Sequence, residues 1–340
     1  MSASLGSSER PLSRLSSEPG AMALPRASVR TRATDRAGAF LMKWITLLAS
    51  ASVLALVAAL VWELYRGSRL SIEAFGWRFV TGSTWDPVFA QFGALPFVFG
   101  TVVTSLIGLA LAVPIGVAAA VFLAELAPRS LSSPLTFVIE LLAAIPSVIY
   151  GLIGVFVLVP FMRERGGPLL KAALGFLPLF SGPNYGIGLL TAGVLLAVMI
   201  LPFIISVSRE VLLAVPREQR EASLALGATL WETTWHVTMA HARSGIMGSI
   251  FLALARALGE TMAVTMVIGN TPRIAASLFS PAYTMAAVIA NEFTEATEDV
   301  YLSALVEVGL LLFAITFLVN AVARLLIWGT ARKGGGRHAV

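Results

Sequence analysis

The sequence has no cysteine and few charged residues. Only 13% of its 340 residues are Asp, Glu, Lys or Arg. The lack of cysteine excludes disulfides, thiolate metal sites and a cysteine nucleophile. Soluble domains carry about 25% charged residues, so the low charge argues against a soluble protein. Hydrophobic residues make up 57% of the whole chain, and the mean hydropathy is +0.84. These values indicate an all-α integral membrane protein.

Motifs of common enzyme classes are also missing. The sequence contains neither a G-x-x-x-x-G-K-[ST] phosphate loop nor an H-E-x-x-H zinc motif. Two of the three histidines, His236 and His241, are five residues apart and therefore lie on different faces of a helix. We therefore predict no catalytic residue, no metal, no cofactor and no ATPase site in this chain. In a membrane protein, a net charge of +5 is better explained by the orientation of the chain in the membrane than by binding to nucleic acid. We therefore predict no nucleic-acid partner.

Six apolar stretches are long enough to cross a bilayer, which takes about 20 helical residues. We predict these spans at about 41–64, 97–126, 135–162, 185–211, 246–270 and 303–327. Pro146 lies inside the third stretch and must interrupt a helical hydrogen bond there. Together the spans form one transmembrane domain at 41–329.

Polar tails flank this domain. Residues 1–40 are rich in Ser, Arg, Ala and Pro and lack the apolar core of a secretory signal, so we predict a disordered cytosolic tail. An organellar transit peptide and a later start at Met22 or Met42 are the alternatives. Residues 330–340 are predicted to be a basic cytosolic tail.

The distribution of positive charge predicts the orientation. With six spans both termini lie on one side, and that side carries 16 of the 24 Lys and Arg residues against seven on the other. The remaining one, Arg256, lies inside the fifth span. Basic loops stay in the cytosol, so both termini and residues 215–245 are predicted to be cytosolic.

Residues 215–245, here called the coupling hairpin, are polar and helix-prone. Glu221 lies near the start of a helix, where a carboxylate stabilises the helix dipole. Gly227 suits a turn with positive φ, and Thr229 can cap a second short helix. Small side chains leave the backbone of the hairpin accessible at Ala222, Ser223, Ala225 and Ala228. This surface is typical of one that docks into a partner's cleft, although an ordinary solvated loop helix remains the alternative.

Arg256 and Glu260 lie four residues apart in the fifth apolar stretch. Arg256 would lie about 15 Å from the start of that stretch, where a lone Arg costs about 2.5–3.5 kcal/mol on insertion scales. Residues at i and i+4 share a helix face, so we expect Glu260 to neutralise it. The pair, with the hydroxyl of Thr261, forms either an anion pathway or gate, or a fixed ion pair that holds helices together.

The hairpin resembles the cytoplasmic coupling motif of ABC-importer permeases, which reads Glu-Ala-Ala, three residues, then Gly. Here it is Glu221-Ala222-Ser223 followed by Gly227. The family usually has Leu-Pro about ten residues later, whereas this chain has Val-Thr-Met-Ala at 237–240. Without that proline, the return helix is expected to continue unbroken.

Other segments resemble the permease subunits of bacterial phosphate importers. They are 144–151, 215–221, 256–263 and 288–293, and the resemblance covers about 41–330. The string Arg-Ala-Leu-Gly-Glu-Thr-Met-Ala at 256–263 is the part that indicates phosphate.

The resemblance implies a six-helix type I ABC importer permease fold in the bacterial cytoplasmic (inner) membrane. It implies a second homologous permease subunit, two ATPase subunits docked on Glu221, Ala222, Ser223 and Gly227, a periplasmic phosphate-binding protein, and contact with membrane lipid. The alternatives are an ABC permease for sulfate, molybdate or phosphonate, and a secondary anion transporter or channel.

Overall fold

The computed structural model describes residues 29–335, with side chains described for 38–326. Most of the predicted N-terminal tail therefore lies outside the described residues. Helix α1 spans Val29–Gly67 and thus begins before residue 41, where the tail was predicted to end. Ala and Arg are good helix formers, which explains the extension.

Six helices are long and apolar enough to cross a membrane, as predicted from the sequence. They are Gly38–Gly67, Leu95–Leu126, Ser147–Leu174, Leu189–Leu213, Leu230–Leu258 and Asp299–Leu326. The number of spans is confirmed, but the third and fifth differ from their predicted bounds. The third begins late and the fifth ends early because of breaks described below, whereas the end at Leu174 and the start at Leu230 are extensions into adjacent helical turns.

The chain divides into two compact units, the first ending at Ala59 and the second beginning at Leu60. In the first unit, the described apolar side chains of α1 are exposed. The second unit begins with the end of α1, followed by α2 (Arg69–Phe75) and α3 (Trp77–Thr81). A two-stranded antiparallel hairpin, β1 (Trp85–Asp86) and β2 (Gln91–Phe92), pairs Trp85 with Phe92.

The next elements comprise the second span, the helix α5 and the third span. They are α4 (Leu95–Val121), which ends in a π-helical turn at Phe122–Leu126, then α5 (Arg129–Ala143), α6 (Ser147–Ile153), α7 (Val159–Phe161) and α8 (Gly167–Leu174). The apolar stretch predicted as one span at 135–162 is divided between α5 and the helix that begins at Ser147. Pro146 causes the break, because it has no N–H to donate.

The remaining elements form the second half of the bundle. They are α9 (Leu189–Leu213), α10 (Arg217–Ala225), α11 (Leu230–Thr233), α12 (Met239–Leu258), α13 (Met262–Ile268), α14 (Met285–Glu292) and α15 (Asp299–Gly335). The predicted fifth span at 246–270 is wrong at both ends. Its helix begins at Leu230 and stops at Leu258, and α13 follows after a break. Helix α15 continues into the predicted basic tail.

Helix α9 lies at the centre of the second unit. Its residues Leu196, Ile200 and Ile204 are fully buried and pack with the small face of α4 that includes Ala112. Small residues let transmembrane helices approach closely. A buried hydrogen bond of 2.8 Å between the Ser208 and Ser249 hydroxyls joins α9 to α12. The central packing therefore holds α12, which carries Arg256, against α9.

Candidate functional site

Two broken helices face each other within the bundle. Helix α6 begins at Ser147 after the break at Pro146, and α13 begins at Met262 after the break at Gly259. The two pack closely: a β-carbon added at Gly151 would lie 2.5 Å from Met266 Sδ and 3.2 Å from the Cα of Ala263. Helix breaks at membrane depth are tolerated where they are buried in protein or line a cavity, and in many transporters they mark the binding site.

Arg256 lies in the last turn of α12, at the edge of this pair of breaks. Its side chain is exposed in the isolated chain. Its charge is near enough to the hydroxyl of Tyr150 for the two groups to interact electrostatically. That hydroxyl donates to the Leu142 carbonyl over 2.8 Å and so bridges the break between α5 and α6. Arg256 therefore lies near the break that precedes α6 and, along the chain, three residues before the break at Gly259.

The predicted ion pair between Arg256 and Glu260 is not formed. Both residues lie in the described part of the chain, yet no contact within 4.0 Å joins their charged groups. The assumption that they share one helix face is wrong, because α12 ends at Leu258. Glu260 instead accepts a hydrogen bond of 3.2 Å from the Ala263 backbone N–H. Its carboxylate thus stabilises the positive N-terminal end of α13.

Thr261 has a local role in the same break. Its hydroxyl donates to the Gly259 carbonyl over 3.3 Å, and its own carbonyl accepts from the Thr265 hydroxyl over 2.7 Å. The break therefore satisfies several of its own polar groups. Arg256, by contrast, has no carboxylate within 4.0 Å among the described residues. An arginine in this position is available to an anion.

The coupling hairpin has the geometry that its sequence predicted. Gly227 has φ +89°, a left-handed conformation that favours glycine. Thr229 caps α11 through a capping box with Glu232: the Thr229 hydroxyl accepts from the Glu232 N–H over 3.2 Å, and the Thr229 N–H donates to the Glu232 carboxylate over 2.8 Å. The return helix runs without interruption from Leu230 to Leu258, as expected without the family's proline.

The accessible surface of the hairpin near its turn combines a charged residue with small and apolar ones. Glu221, Ala222 and Gly227 are exposed, and Leu226 next to the turn is 91% exposed. Ser223 differs, since its hydroxyl lies 3.0 Å from that of Thr233 and joins α10 to the return helix. The substitution of Ser for the family's Ala at this position therefore supports the fold of the hairpin.

One ion pair at this end of the molecule was not predicted. Glu125 Oε1, in the π-helical turn after α4, lies 2.8 Å from Arg220 Nη2 of α10, with side-chain exposures of 11% and 19%. The N–H bonds are out of line with Glu125, so the contact is an ion pair without a well-aligned hydrogen bond. Arg220 Nη2 donates to the Leu212 carbonyl of α9 over 2.7 Å. The feature of the sequence that could have indicated this ion pair is Glu125, a single acidic residue at the end of an apolar span.

The opposite end of the second unit has a polar and aromatic cluster that the sequence did not reveal. Glu292 accepts hydrogen bonds from the Trp85 indole over 2.8 Å and from the Tyr301 hydroxyl over 2.7 Å. Asn291 donates to the hydroxyl of Tyr283 over 3.0 Å. Burial raises the pKa of Tyr283 to about 12. These bonds fix α14 against α15 and the β-hairpin.

Comparisons with known proteins agree with this geometry. A family model described as "Binding-protein-dependent transport system inner membrane component" matches residues 112–329. A "Phosphate transport system permease protein PstC" from Mesorhizobium japonicum is 50% identical over 279 residues, which cover 81% of this chain and 85% of that protein. A protein with the same description from Xylella fastidiosa is 46% identical over 304 residues, covering 88% and 93%.

More distant relatives extend the comparison. A "Probable phosphate transport system permease protein PstC" from Methanocaldococcus jannaschii is 36% identical over 258 residues, which cover 74% of this chain and 82% of that protein. Among solved structures, a chain of the MetNI methionine ABC transporter in an inward-facing conformation is 18% identical. It covers 73% of this chain and 99% of that one, with a TM-score of 0.52. At that identity, the likeness concerns the fold alone.

Proposed function

The chain belongs to the family of binding-protein-dependent transport system inner membrane components, and from this we propose that it is a permease subunit of an ABC importer that carries inorganic phosphate across the bacterial cytoplasmic membrane. The predicted type I ABC importer permease fold is confirmed by the likeness to the methionine transporter and by the family match. The relatives described above are named for phosphate transport, and this supports phosphate as the substrate here.

The observation that carries the proposal is the arrangement of Arg256 at two facing helix breaks. An arginine offers forked N–H donors that match a tetrahedral oxyanion, and it keeps its charge at any physiological pH. Arg256 has no neutralising carboxylate within 4.0 Å among the described residues. We assign it the contact with the anion. Glu260 and Thr261 shape the break beside it and act as part of the gate.

The coupling hairpin is the second part of the mechanism. ATP is hydrolysed by two separate ATPase subunits, and a groove in these subunits binds Glu221, Ala222 and Gly227. Ser223 stabilises the helix from its opposite side. A second, homologous permease subunit completes the pathway, and a periplasmic phosphate-binding protein delivers the anion. Both termini and the hairpin face the cytosol, in keeping with the positive-inside rule.

The chemistry of the chain is transport without covalent change. Closure of the ATPase subunits moves the hairpin, and the Glu125–Arg220 ion pair passes this movement to α4. Since α4 packs along α9, the bundle shifts as a unit around the two helix breaks. Arg256 then faces the outer and the inner side in turn.

Uptake of labelled phosphate into proteoliposomes tests the function. The complex is reconstituted with its ATPase subunits and the phosphate-binding protein, and ATP is supplied on the side of the hairpin. We expect uptake that needs both ATP and the binding protein. Uptake without ATPase subunits would instead indicate a secondary transporter. Uptake of labelled sulfate or molybdate, each offered with its own binding protein, but not of phosphate would indicate another oxyanion.

A further inference from the structure

A polar hollow of about 560 Å³ lies between α5 and α9, away from Arg256. Arg129, the first residue of α5, and Arg209, four residues before the end of α9, both line it. These are the ends of α5 and α9 that lie next to the coupling hairpin. The hollow is therefore on the coupling side of the membrane.

One face of α5 forms most of the wall. The lining positions on this helix are 129, 132, 133, 136, 137 and 140, which recur with the helical period and so face the same way. Apart from Phe137 they are polar or charged, although α5 is otherwise an apolar helix. Polar residues collected on one face of a helix that packs against a membrane span, as α5 packs against α9, can line a water-filled path or hold a ligand.

The charge at the inner end of the hollow is not balanced. Within the described residues, neither Arg129 nor Arg209 has a carboxylate within 4.0 Å. The Nε atom of Arg209 is buried and has no hydrogen-bond partner in the structure. Glu140 is the acid that lines the hollow, but it lies 11 positions after Arg129, about 16 Å along the helix. Arg209 as a whole is half-buried and Arg129 is exposed, so the hollow offers a partly desolvated positive charge without a carboxylate partner, which favours an anionic ligand.

The hydroxyl groups divide into two sets. Ser132 donates to the Leu123 carbonyl and Thr136 to the Ser132 carbonyl, each over 2.8 Å, so their hydrogens are already used. Ser133 is exposed and makes no such bond in the described structure. The donors available to a ligand are therefore the two guanidinium groups and the Ser133 hydroxyl. Two guanidinium groups and one hydroxyl can donate hydrogen bonds to the oxygens of a phosphate group.

We propose that this hollow, the inner anion site, binds a phosphate group on the coupling side of the membrane. The proposal rests on the proposed function for its sidedness, because the hairpin then faces the cytosol. The ligand is inorganic phosphate that has left the position of Arg256. The same chemistry is offered by an anionic phospholipid headgroup, and the experiment separates the two sources.

The test measures binding of labelled inorganic phosphate to the assembled complex by equilibrium dialysis, without ATP and without the binding protein. We expect Arg129→Gln and Arg209→Gln each to weaken binding about tenfold, since each removes a charge-assisted hydrogen bond. Arg209→Lys keeps the positive charge, so we expect it to lose less phosphate affinity than Arg209→Gln. Arg163→Gln, an exposed arginine far from the hollow in sequence, is the matched control and should leave binding unchanged.

A second arm addresses the lipid source. The complex is extracted from bilayers containing phosphatidylglycerol, and the retained lipid is counted by mass spectrometry. Loss of retained lipid in both arginine variants, with no binding of free phosphate to the wild type, assigns the site to a headgroup. The proposal is overturned if neither phosphate binding nor retained lipid changes in Arg129→Gln and Arg209→Gln.

Uptake by the wild-type complex separates this proposal from the proposed function. If phosphate uptake fails while binding still depends on Arg129 and Arg209, the transport function is wrong and the site remains. If uptake succeeds and phosphate binding is unchanged by substitution of either arginine, only the proposal of the inner anion site is wrong. Copurification of the ATPase subunits with each variant shows that the complex has assembled.

Discussion

Glu125 and Arg220 join the end of α4 to the first helix of the coupling hairpin through charged groups 2.8 Å apart. Arg220 also donates to the Leu212 carbonyl at the end of α9. One side chain therefore contacts the hairpin's two membrane neighbours, α4 and α9. Any displacement of α10 by a partner must be shared by both helices or must break these contacts.

Removal of either charge should uncouple the hairpin from α4. Loss of one partner of a buried ion pair costs about 3–5 kcal/mol, and because both groups here keep some exposure we expect about 2 kcal/mol. Arg220→Gln and Glu125→Gln should each lower phosphate uptake several-fold while ATP hydrolysis continues. The measurement is the ratio of phosphate transported to ATP hydrolysed in proteoliposomes.

A charge exchange provides the control for this pair. Glu125→Arg combined with Arg220→Glu restores opposite charges, although the new arginine cannot reach Leu212 in the same way. We expect partial recovery of the transport ratio relative to either charge-reversing single variant. Equal ratios in the double variant and in the two single reversals would show that the ion pair does not carry the coupling.

The turn at Gly227 should depend on its left-handed backbone. A β-carbon there would meet no atom within 4 Å, so space is not the limit. A left-handed conformation costs an ordinary residue about 1–2 kcal/mol, whereas Asn tolerates it better. Gly227→Ala should therefore lower the thermal stability of the complex, and Gly227→Asn should lower it less. Equal melting temperatures for glycine and both variants would contradict the need for positive φ.

The exposed face of α10 should be required for docking but not for folding. Ala222 is exposed on the hairpin, so Ala222→Phe fits the isolated chain without a clash. We expect this variant to accumulate in the membrane at normal levels and to lose copurifying ATPase subunits. Leu169→Phe, at an exposed position of α8 outside the hairpin, is the matched control. Normal copurification and uptake with Ala222→Phe would leave the alternative of a solvated loop.

The contact between α6 and α13 should tolerate no larger residue. Gly151→Val must displace Met266 and press against the Ala263 backbone, which typically costs about 1–3 kcal/mol. We expect lower thermal stability and slower uptake. Gly248→Ala is the control, because its β-carbon meets nothing within 4 Å and the change favours the helix. If the two variants behave alike, the close approach of α6 and α13 is not important for the site.

Local sequence signals predicted much of this molecule. The six apolar stretches, the positive φ at Gly227, the cap at Thr229 and the unbroken return helix all follow from nearby residues. The break at Pro146 was also visible, because proline lacks a donor. The prediction of one continuous helix through Gly259 is wrong: α12 ends at Leu258 and α13 begins at Met262, so Arg256 and Glu260 do not share a helix face.

The sequence alone could not predict contacts between segments that are far apart in the chain. Glu125 and Arg220 are far apart in the chain, and only the packing of α4 beside α9 brings them together. The cluster around Glu292 depends in the same way on Trp85, which lies 207 positions earlier. A single sequence shows which side chains are charged or aromatic, but tertiary packing decides their partners.

Phosphate uptake by the Arg256→Gln complex tests the central claim most directly. The complex is reconstituted with the binding protein and ATP, ATPase copurification confirms assembly, and Arg163→Gln serves as the matched loss of one positive charge. We predict that Arg256→Gln assembles normally and loses at least tenfold in uptake, because a charge-assisted contact with the anion is removed. Uptake equal to that of the Arg163→Gln control would contradict an anion pathway at the facing helix breaks.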